Sequence, residues 1–256
     1  MGHVPAVPTE EGANVWLVLP TYNEASNLEP VVAAAREHLR QPRRILIVDD
    51  SSPDGTGEIA ERLAASHQDV SVLHRPRKEG LGPAYIGGFR EALAGGADLV
   101  VQMDADFSHD PTDLPRLLAG ARDADLVLGS RYVPGGGVED WGPLRRFISR
   151  GGCAYARTML GVDVHDLTGG FKILRREVLE AIDLASISAF GYAFQVETSY
   201  RAIRAGFRVL EVPIVFRDRR VGESKMTKGI VFEAAWRVPA MRLSTWRGGA
   251  PSRSGS

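Results

Sequence analysis

The chain has 256 residues, 44% hydrophobic and 25% charged, and its 31 basic and 32 acidic side chains leave a net charge of −1. That composition is ordinary for a soluble globular protein with a sizeable core, and it gives no overall pull toward nucleic acid. The lone cysteine, Cys153, excludes an internal disulfide framework and a cysteine-built zinc site, and suits a reducing compartment.

Residues 1–13 read as a flexible N-terminus, with no basic segment followed by an apolar run that would mark a secretory signal. Val15–Leu19 reads as a first strand stopped by Pro20, and Asn27 as the cap of a helix from Leu28 to Leu39. A strand over Arg44–Val48, a helix over Thr56–Ala65, a short strand over Val70–Leu73 and a helix over Pro83–Ala94 follow. Leu99–Met103 is the fourth strand, Pro111–Arg122 a further helix and Leu126–Gly129 the fifth strand. After residue 130 the pattern loosens into a Gly-rich loop, Pro134–Gly137, expected to move, then a basic helix, Leu144–Leu160, and shorter elements through Val215. Strands alternating with helices predict right-handed crossovers and an α/β fold with a mainly parallel sheet, as one domain over 14–228. Residues 229–246 read as a C-terminal helix and 247–256 as a disordered Gly/Ser-rich tail. No stretch reaches the ~20 apolar residues that cross a bilayer.

The triplet Asp104-Ala105-Asp106 sits where the fourth strand stops, and ligand sites of open α/β sheets form outside the carboxyl ends of strands. Two carboxylates there suit a hard divalent cation; a solvated turn is the alternative. Pro20-Thr21-Tyr22-Asn23-Glu24 and Asp49-Asp50-Ser51-Ser52-Pro53-Asp54-Gly55-Thr56 end two other strands. Turn chemistry accounts for each of these alone but not for carboxylates on three successive strand ends. His109 reads as a structural or capping histidine, because hard ions prefer oxygen. Cys153, between Gly152 and Ala154, reads as packing rather than a nucleophile.

The ordered set PTYNE (20–24), VDDSSPDGT (48–56), MDADFSH (103–109), GSRY (129–132), DLTGGFK (166–172) and GESK (222–225) resembles the polyprenyl-phosphate mannosyltransferases. These are the dolichol-phosphate-mannose synthase group within the inverting, GT-A glycosyltransferase family 2. The likeness runs from about residue 15 to 228 and implies a Rossmann-like, mainly parallel GT-A sheet flanked by helices. It further implies transfer of mannose from GDP-mannose to a polyprenyl phosphate, with inversion, and a divalent cofactor, Mg²⁺ or Mn²⁺. By the same resemblance Asp104 and Asp106 hold the ion, with Ser108 where relatives carry a further ligand. Pro20, Tyr22, Glu24, Val48 and Asp50 line the guanosine pocket, and Asp104, Ala105, Asp106 and Arg131 continue along the donor. Arg219 and Lys225, on a mobile loop over Arg217–Met226, match the donor-phosphate residues, while Arg131, Arg145 and Ser149 match the acceptor-phosphate positions. Asp104, Asp106 and Arg131 are then the catalytic set.

The chemistry expected of such a set is modest. A phosphate monoester has a second pKa of about 6, so the acceptor is already a nucleophilic dianion at neutral pH. No Ser-His-Asp or Cys-His set appears, and what remains is positioning and charge management. Arginine suits this, since its planar fork binds phosphate oxygens in pairs. The rival readings are a transferase using UDP-glucose or another nucleotide sugar, a non-catalytic binding subunit, and a nucleotidyltransferase. The intact set Asp50, Asp104, Asp106, Arg131 and Lys225 argues against the second. The third would need a Gly-rich loop with a basic residue directly after the first strand, and PTYNE is not that.

Two segments mix arginines with apolar side chains and are candidates to meet the membrane surface: Leu144–Leu160 and Ile230–Trp246, the latter interrupted by Pro239. Ordinary packing on the core is the alternative for both. The expected location is cytoplasmic, peripheral to the cytoplasmic face of a membrane, with room for a membrane-anchoring partner protein.

Overall fold

The computed structural model describes residues 12–187, 191–218 and 237–242. Its first half runs β1 (Val15–Thr21), α1 (Leu28–His38), β2 (Arg43–Asp49), α2 (Thr56–Ser66), β3 (Val70–His74), α3 (Leu81–Ala94) and β4 (Leu99–Gln102). Then come α4 (Leu114–Gly120), β5 (Leu126–Ser130), β6 (Gly137–Val138), α5 (Pro143–Leu160), β7 (Lys172–Arg175), α6 (Arg176–Ala181), α7 (Gly191–Arg204), β8 (Val209–Pro213) and β9 (Val215–Phe216).

The apolar runs are buried on both faces, and alternation along them divides the core in two. Trp16, Val18, Leu46, Val48 and Val100 face α3, α5, α6 and α7, whereas Leu17, Leu19, Ile45, Ile47 and Val101 face α1, α2 and α4. Burial on both sides is the requirement that parallel strands covered by helices impose. The sheet has the order β3-β2-β1-β4-β7-β5-β8. β1 runs parallel to β2 and β4, β2 to β3, and β5 to β8. β7 alone is antiparallel, inserted between β4 and β5. Because both neighbours oppose β7, β4 and β5 point the same way, and the carboxyl ends of β1, β2, β4 and β5 share one edge.

Several local expectations change. β1 is not stopped by Pro20: it continues on the β2 side, where Thr21 still pairs with Asp49, although β4 has already ended beside Val18. Proline is tolerated at such a strand end because the missing N–H breaks little of the ladder. Asn27 makes no side-chain cap; its amide donates to Glu24 Oε2 at 2.9 Å. The helix expected over Pro111–Arg122 splits into a 3-10 turn, Pro111–Asp113, capped by Asp110, and α4, which begins beside Pro115. The Gly-rich loop is held down at its end, where β6 pairs with β9. In the C-terminal segment, residues 237–242 are helical through Pro239, and Val238 and Met241 pack into the core. The tail and the rest of that segment lie outside the described residues.

α3 presses on the sheet through Gly88, where a Cβ would fall 2.3 Å from Val18 Cγ1 and 3.1 Å from Val48 Cγ2. Both neighbours are fixed strand side chains, so the Gly88→Ala variant should be destabilised by about 1–3 kcal/mol. Thermal unfolding checks this, with a fall of roughly 2–4 °C per kcal/mol expected for a chain of this size.

Candidate active site

Each carboxyl-end loop of β1, β2 and β4 is turned by a non-glycine residue in the left-handed region: Asn23 (φ 60°), Ser51 (φ 55°) and Phe107 (φ 60°). Such backbone is uncommon, least so for Asn and most so for a bulky Phe, and it clusters at sites where side chains must be aimed. In the β1 and β2 loops the acidic groups are met by nearby hydroxyl, amide and backbone donors. Asp54 accepts from Thr56 N–H and Oγ1 and from Ala25 N–H, which holds its carboxyl below the usual range although burial opposes this. Asp49 accepts from the Ser52 hydroxyl at 2.5 Å.

Asp50, expected in the base pocket, is tied into the segment that follows β3. It pairs with Arg75 and accepts from the backbone N–H groups of Glu79 and Gly80 at 3.3 and 3.2 Å. The same segment lays the Lys78 ammonium over the Tyr22 ring, 3.6 Å from its centroid. Glu24 receives Asn27, and its own N–H donates to Thr56 Oγ1 at 2.9 Å. Val48 is buried in the sheet and Pro20 lies beside it in register.

At the end of β4 both carboxylates are oriented by hydrogen bonds. Asp104 Oδ1 accepts from the Tyr85 hydroxyl at 2.9 Å, and Asp106 Oδ1 accepts from Ser108 N–H at 3.0 Å. Tyr85 is fully buried on α3 and stacks on Phe89 and Phe194. The Asp104 N–H donates to His109 Nδ1 at 3.1 Å, which leaves the ring proton on Nε2. His109 is buried and stacks on Phe171, and burial pushes its pKa down, against the pull of Asp104 and Asp106. It is a structural residue, and the capping role in this loop falls to Asp110 instead.

The Ser108 hydroxyl is buried beside the carboxylates and has no hydrogen-bond partner. A Cβ on Gly170 would lie 3.2 Å from His109 Cε1, 3.5 Å from Gln195 Nε2 and 3.6 Å from Asp104 Oδ2, so the glycine lets the β7 approach pack closely against His109 and that carboxylate. Among the described residues no group of three or more His, Cys, Asp and Glu is arranged to hold a metal ion. Two carboxylates and a hydroxyl fit a hard ion that completes its shell with phosphate and water.

On the other side stands Arg131, at the end of β5. Its fork is taken up by Asp166, Nε to Oδ2 and Nη2 to Oδ1, both at 2.7 Å, and Nη2 also donates to Thr168. The planar fork foreseen for a phosphate is therefore engaged within the protein, a correction to the sequence reading. Burial opposes both charges, yet Arg131 holds the Asp166 carboxyl below the usual range and Asp166 raises the guanidinium. Arg145 reaches the same region from α5: its guanidinium carbon lies 4.1 Å from the Trp141 ring centroid, and that of Arg131 lies 5.8 Å from it. Arg145 Nη1 pairs with Asp218 at 2.7 Å, and its Nε is buried without a partner. Ser149 accepts from the Tyr132 hydroxyl at 2.6 Å. Arg131, Arg145 and Ser149 thus gather around Tyr132 and Trp141. Arg219 and Lys225 lie outside the described residues.

Sequence reasoning missed Tyr85, Gln195 and Lys172. Nothing local marks Tyr85, which reaches Asp104 only once α3 is packed. Lys172 stood in a recognised motif, but its depth was invisible: it is fully buried, with Nζ donating to the Gln195 carbonyl at 2.8 Å and Ser199 Oγ at 3.0 Å. Burial pushes its pKa down to about 7, against the pull of Asp166. Cys153 Sγ sits 3.2 Å from Thr168 Oγ1, and burial pushes the thiol up to about 12, which makes it packing and not a nucleophile.

Solved structures share this architecture. A glucosyl-3-phosphoglycerate synthase from Mycobacterium tuberculosis, in complex with Mn²⁺, UDP and phosphoglyceric acid, superposes with a TM-score of 0.65 at 23% identity, covering 98% of this chain and 86% of that one. A mannosyl-3-phosphoglycerate synthase from Rubrobacter xylanophilus gives 0.62 at 21% identity, covering 96% and 78%. The fold is that of the GT-A glycosyltransferases. Residues 16–183 match the model of glycosyl transferase family 2, and the chain belongs to that family. It is 48% identical to an undecaprenyl-phosphate mannosyltransferase of Micrococcus luteus, over 91% of this chain and 96% of that protein. It is equally 48% identical to a polyprenol monophosphomannose synthase of Mycolicibacterium smegmatis, over 87% and 84%.

Replacing Asp166 by Asn leaves the Arg131 charge buried without its counter-ion, and a loss of about 3–5 kcal/mol is expected in denaturant unfolding. The Lys172 shift carries a sign. The unfolded chain binds this proton up to about pH 10.5, the folded one only to about 7, so stability gained from losing it rises between those values and is absent below them. The stability of the wild type relative to Lys172→Met should therefore climb across that window and be flat below it. A difference independent of pH would contradict the burial argument.

Proposed function

We propose that the protein transfers mannose from GDP-mannose to a polyprenyl phosphate, giving polyprenyl-phosphate mannose and GDP, with inversion at the anomeric carbon. One observation supports this reading: a chain nearly half identical, over most of its length, to two proteins named as polyprenyl-phosphate mannose transferases brings a carboxylate–hydroxyl cluster and a two-arginine cluster to one sheet edge. Pro20, Tyr22, Glu24, Val48 and Asp50 would form the nucleoside end, with Asp50 acting through the loop it anchors. Asp104, Asp106 and Ser108 would hold Mg²⁺ or Mn²⁺, with Ala105 between them. When bound, that ion would neutralise charge on the donor diphosphate. Arg219 and Lys225 would serve the same phosphates.

The acceptor's own dianion supplies the nucleophile. Nearby acids are poorly placed to act as a base, since Asp166 is engaged by Arg131 and Asp218 by Arg145. The work of the chain's residues is then to aim the acceptor oxygen. Arg145, with an N–H left unpartnered, and Ser149 would do this directly. Arg131, its fork held by Asp166, would present a fixed positive charge and its remaining Nη1 edge. Among the described residues no helix is long and apolar enough to cross a membrane. A polyprenyl acceptor therefore calls for peripheral attachment, which we place at the cytoplasmic face, alone or through a membrane-anchoring partner protein.

Purified enzyme given a short polyprenyl phosphate should transfer mannose from GDP-mannose in the presence of Mn²⁺ or Mg²⁺ and lose activity with a chelator. Exclusive turnover of UDP-glucose would overturn the donor assignment. Asp106→Ala should cut turnover on the order of 100-fold or more while leaving the circular-dichroism spectrum intact. Arg145→Ala should raise the KM for the acceptor roughly tenfold and leave the donor KM alone, as loss of one charge-assisted hydrogen bond predicts.

A further inference from the structure

We propose that the outward face of α5 is a membrane-docking surface that rests on an anionic bilayer and sets the reaction at the depth of the lipid headgroups. The inference deepens the functional reading, since it rests on a lipid-borne acceptor, and it assigns the face that meets the lipid. Among the described residues five large apolar side chains are exposed, and four of them are on this one helix: Leu144 (71%), Phe147 (77%), Ile148 (37%) and Tyr155 (37%). At about 100° per residue these four and Gly151 fall within an arc of roughly 100°. Cys153, Ala156 and Leu160 lie on the opposite side and are buried. A helix of a soluble domain normally turns its apolar arc inward, whereas α5 also carries a second one outward.

The charges around that arc select the occupant. Between Trp141 and Val162 the sequence has four arginines and no acidic residue. Arg150, exposed, and Arg145, half-buried, lie about 60° beyond the two edges of the arc, with the exposed Arg146 farther round on the Arg150 side. An apolar strip edged with cations is the pattern of a helix lying in the interface of an anionic leaflet. A second copy of the same face would oppose arginine to arginine about a two-fold axis, which disfavours self-association. The opposite flank of α5 carries Arg145 and Ser149, the residues proposed for the acceptor phosphate. One helix thus has an apolar arc at the depth of a polyprenyl chain and phosphate-binding groups about a quarter turn away. Docked in this way, the enzyme meets the acceptor phosphate where it emerges from the bilayer.

The test uses the full chain with Leu144→Ser and Phe147→Ser combined, both at exposed positions outside the site. Sedimentation with vesicles of phosphatidylcholine plus phosphatidylglycerol should show wild-type binding and at least about tenfold weaker binding of the variant. Pure phosphatidylcholine vesicles should bind less wild type, and Arg146→Glu with Arg150→Glu should remove that difference. Turnover of a long-chain acceptor embedded in vesicles should fall with binding, while turnover of a short, water-soluble acceptor stays at the wild-type level. Equal vesicle binding by wild type and the Leu144/Phe147 variant overturns the proposal. So does a dimer, seen by light scattering, that the variant dissolves. If vesicle binding depends on Leu144 and Phe147 yet neither acceptor is mannosylated, docking stands and the functional reading falls.

Discussion

The buried pair between Arg131 and Asp166 is the joint on which the acceptor half of the site depends. Asp166 receives the Arg131 backbone N–H as well as both arms of its fork, so the end of β5 and the turn before β7 cannot move separately. Thr168 and Cys153 close on the same pair, which brings in α5. Glu211, on β8, accepts from Ser130 and from the Asp166 N–H, which adds the outermost strand. Two charges taken wholly out of water are costly unless every lone pair is met. Here the cost is offset by hydrogen bonds that fasten four elements at one point and hold the Arg131 charge in place.

The donor half is organised on a different principle. Its β4 carboxylates are oriented by neutral donors, the Tyr85 hydroxyl on Asp104 and the Ser108 N–H on Asp106. Left-handed Phe107 turns the same loop. The two sides therefore differ in how their charged groups are held: by a buried counter-ion at Arg131, by hydroxyl and backbone donors at Asp104 and Asp106.

How much of this the sequence disclosed follows from the range of the interactions. Val15–Leu19, Arg44–Val48 and Leu99–Met103 declared themselves because parallel strands buried on both faces must be apolar throughout. The same rule hid β7, a four-residue strand that begins with Lys172 and ends with Arg175. Asp104 and Asp106 were legible because they follow such a run directly. Tyr85 was not, since its partner is supplied by the packing of α3 and not by spacing. Arg131 was found, but its engagement was misread. The motif displayed Asp166 and Arg131 separately, and only the antiparallel insertion of β7 shows that they meet. The exposed arc of α5 was half visible, because periodicity shows that a helix has two kinds of face without saying which is covered.

The position of β7 also dictates an order of assembly. β5 has two neighbours in the sheet, β7 and β8, and both come later in the chain. The strands that carry the donor half, β1, β2 and β4, find all their parallel partners within the first 102 residues. A chain emerging from its N-terminus can therefore close the nucleotide-sugar half early, through short crossovers. The strand bearing Arg131 stays unpaired on both edges until residue 172 arrives to bridge it to β4. Contacts of long sequence separation form late. The end of β5, with Arg131 beyond it, is thus fixed in the sheet only after β7 is added.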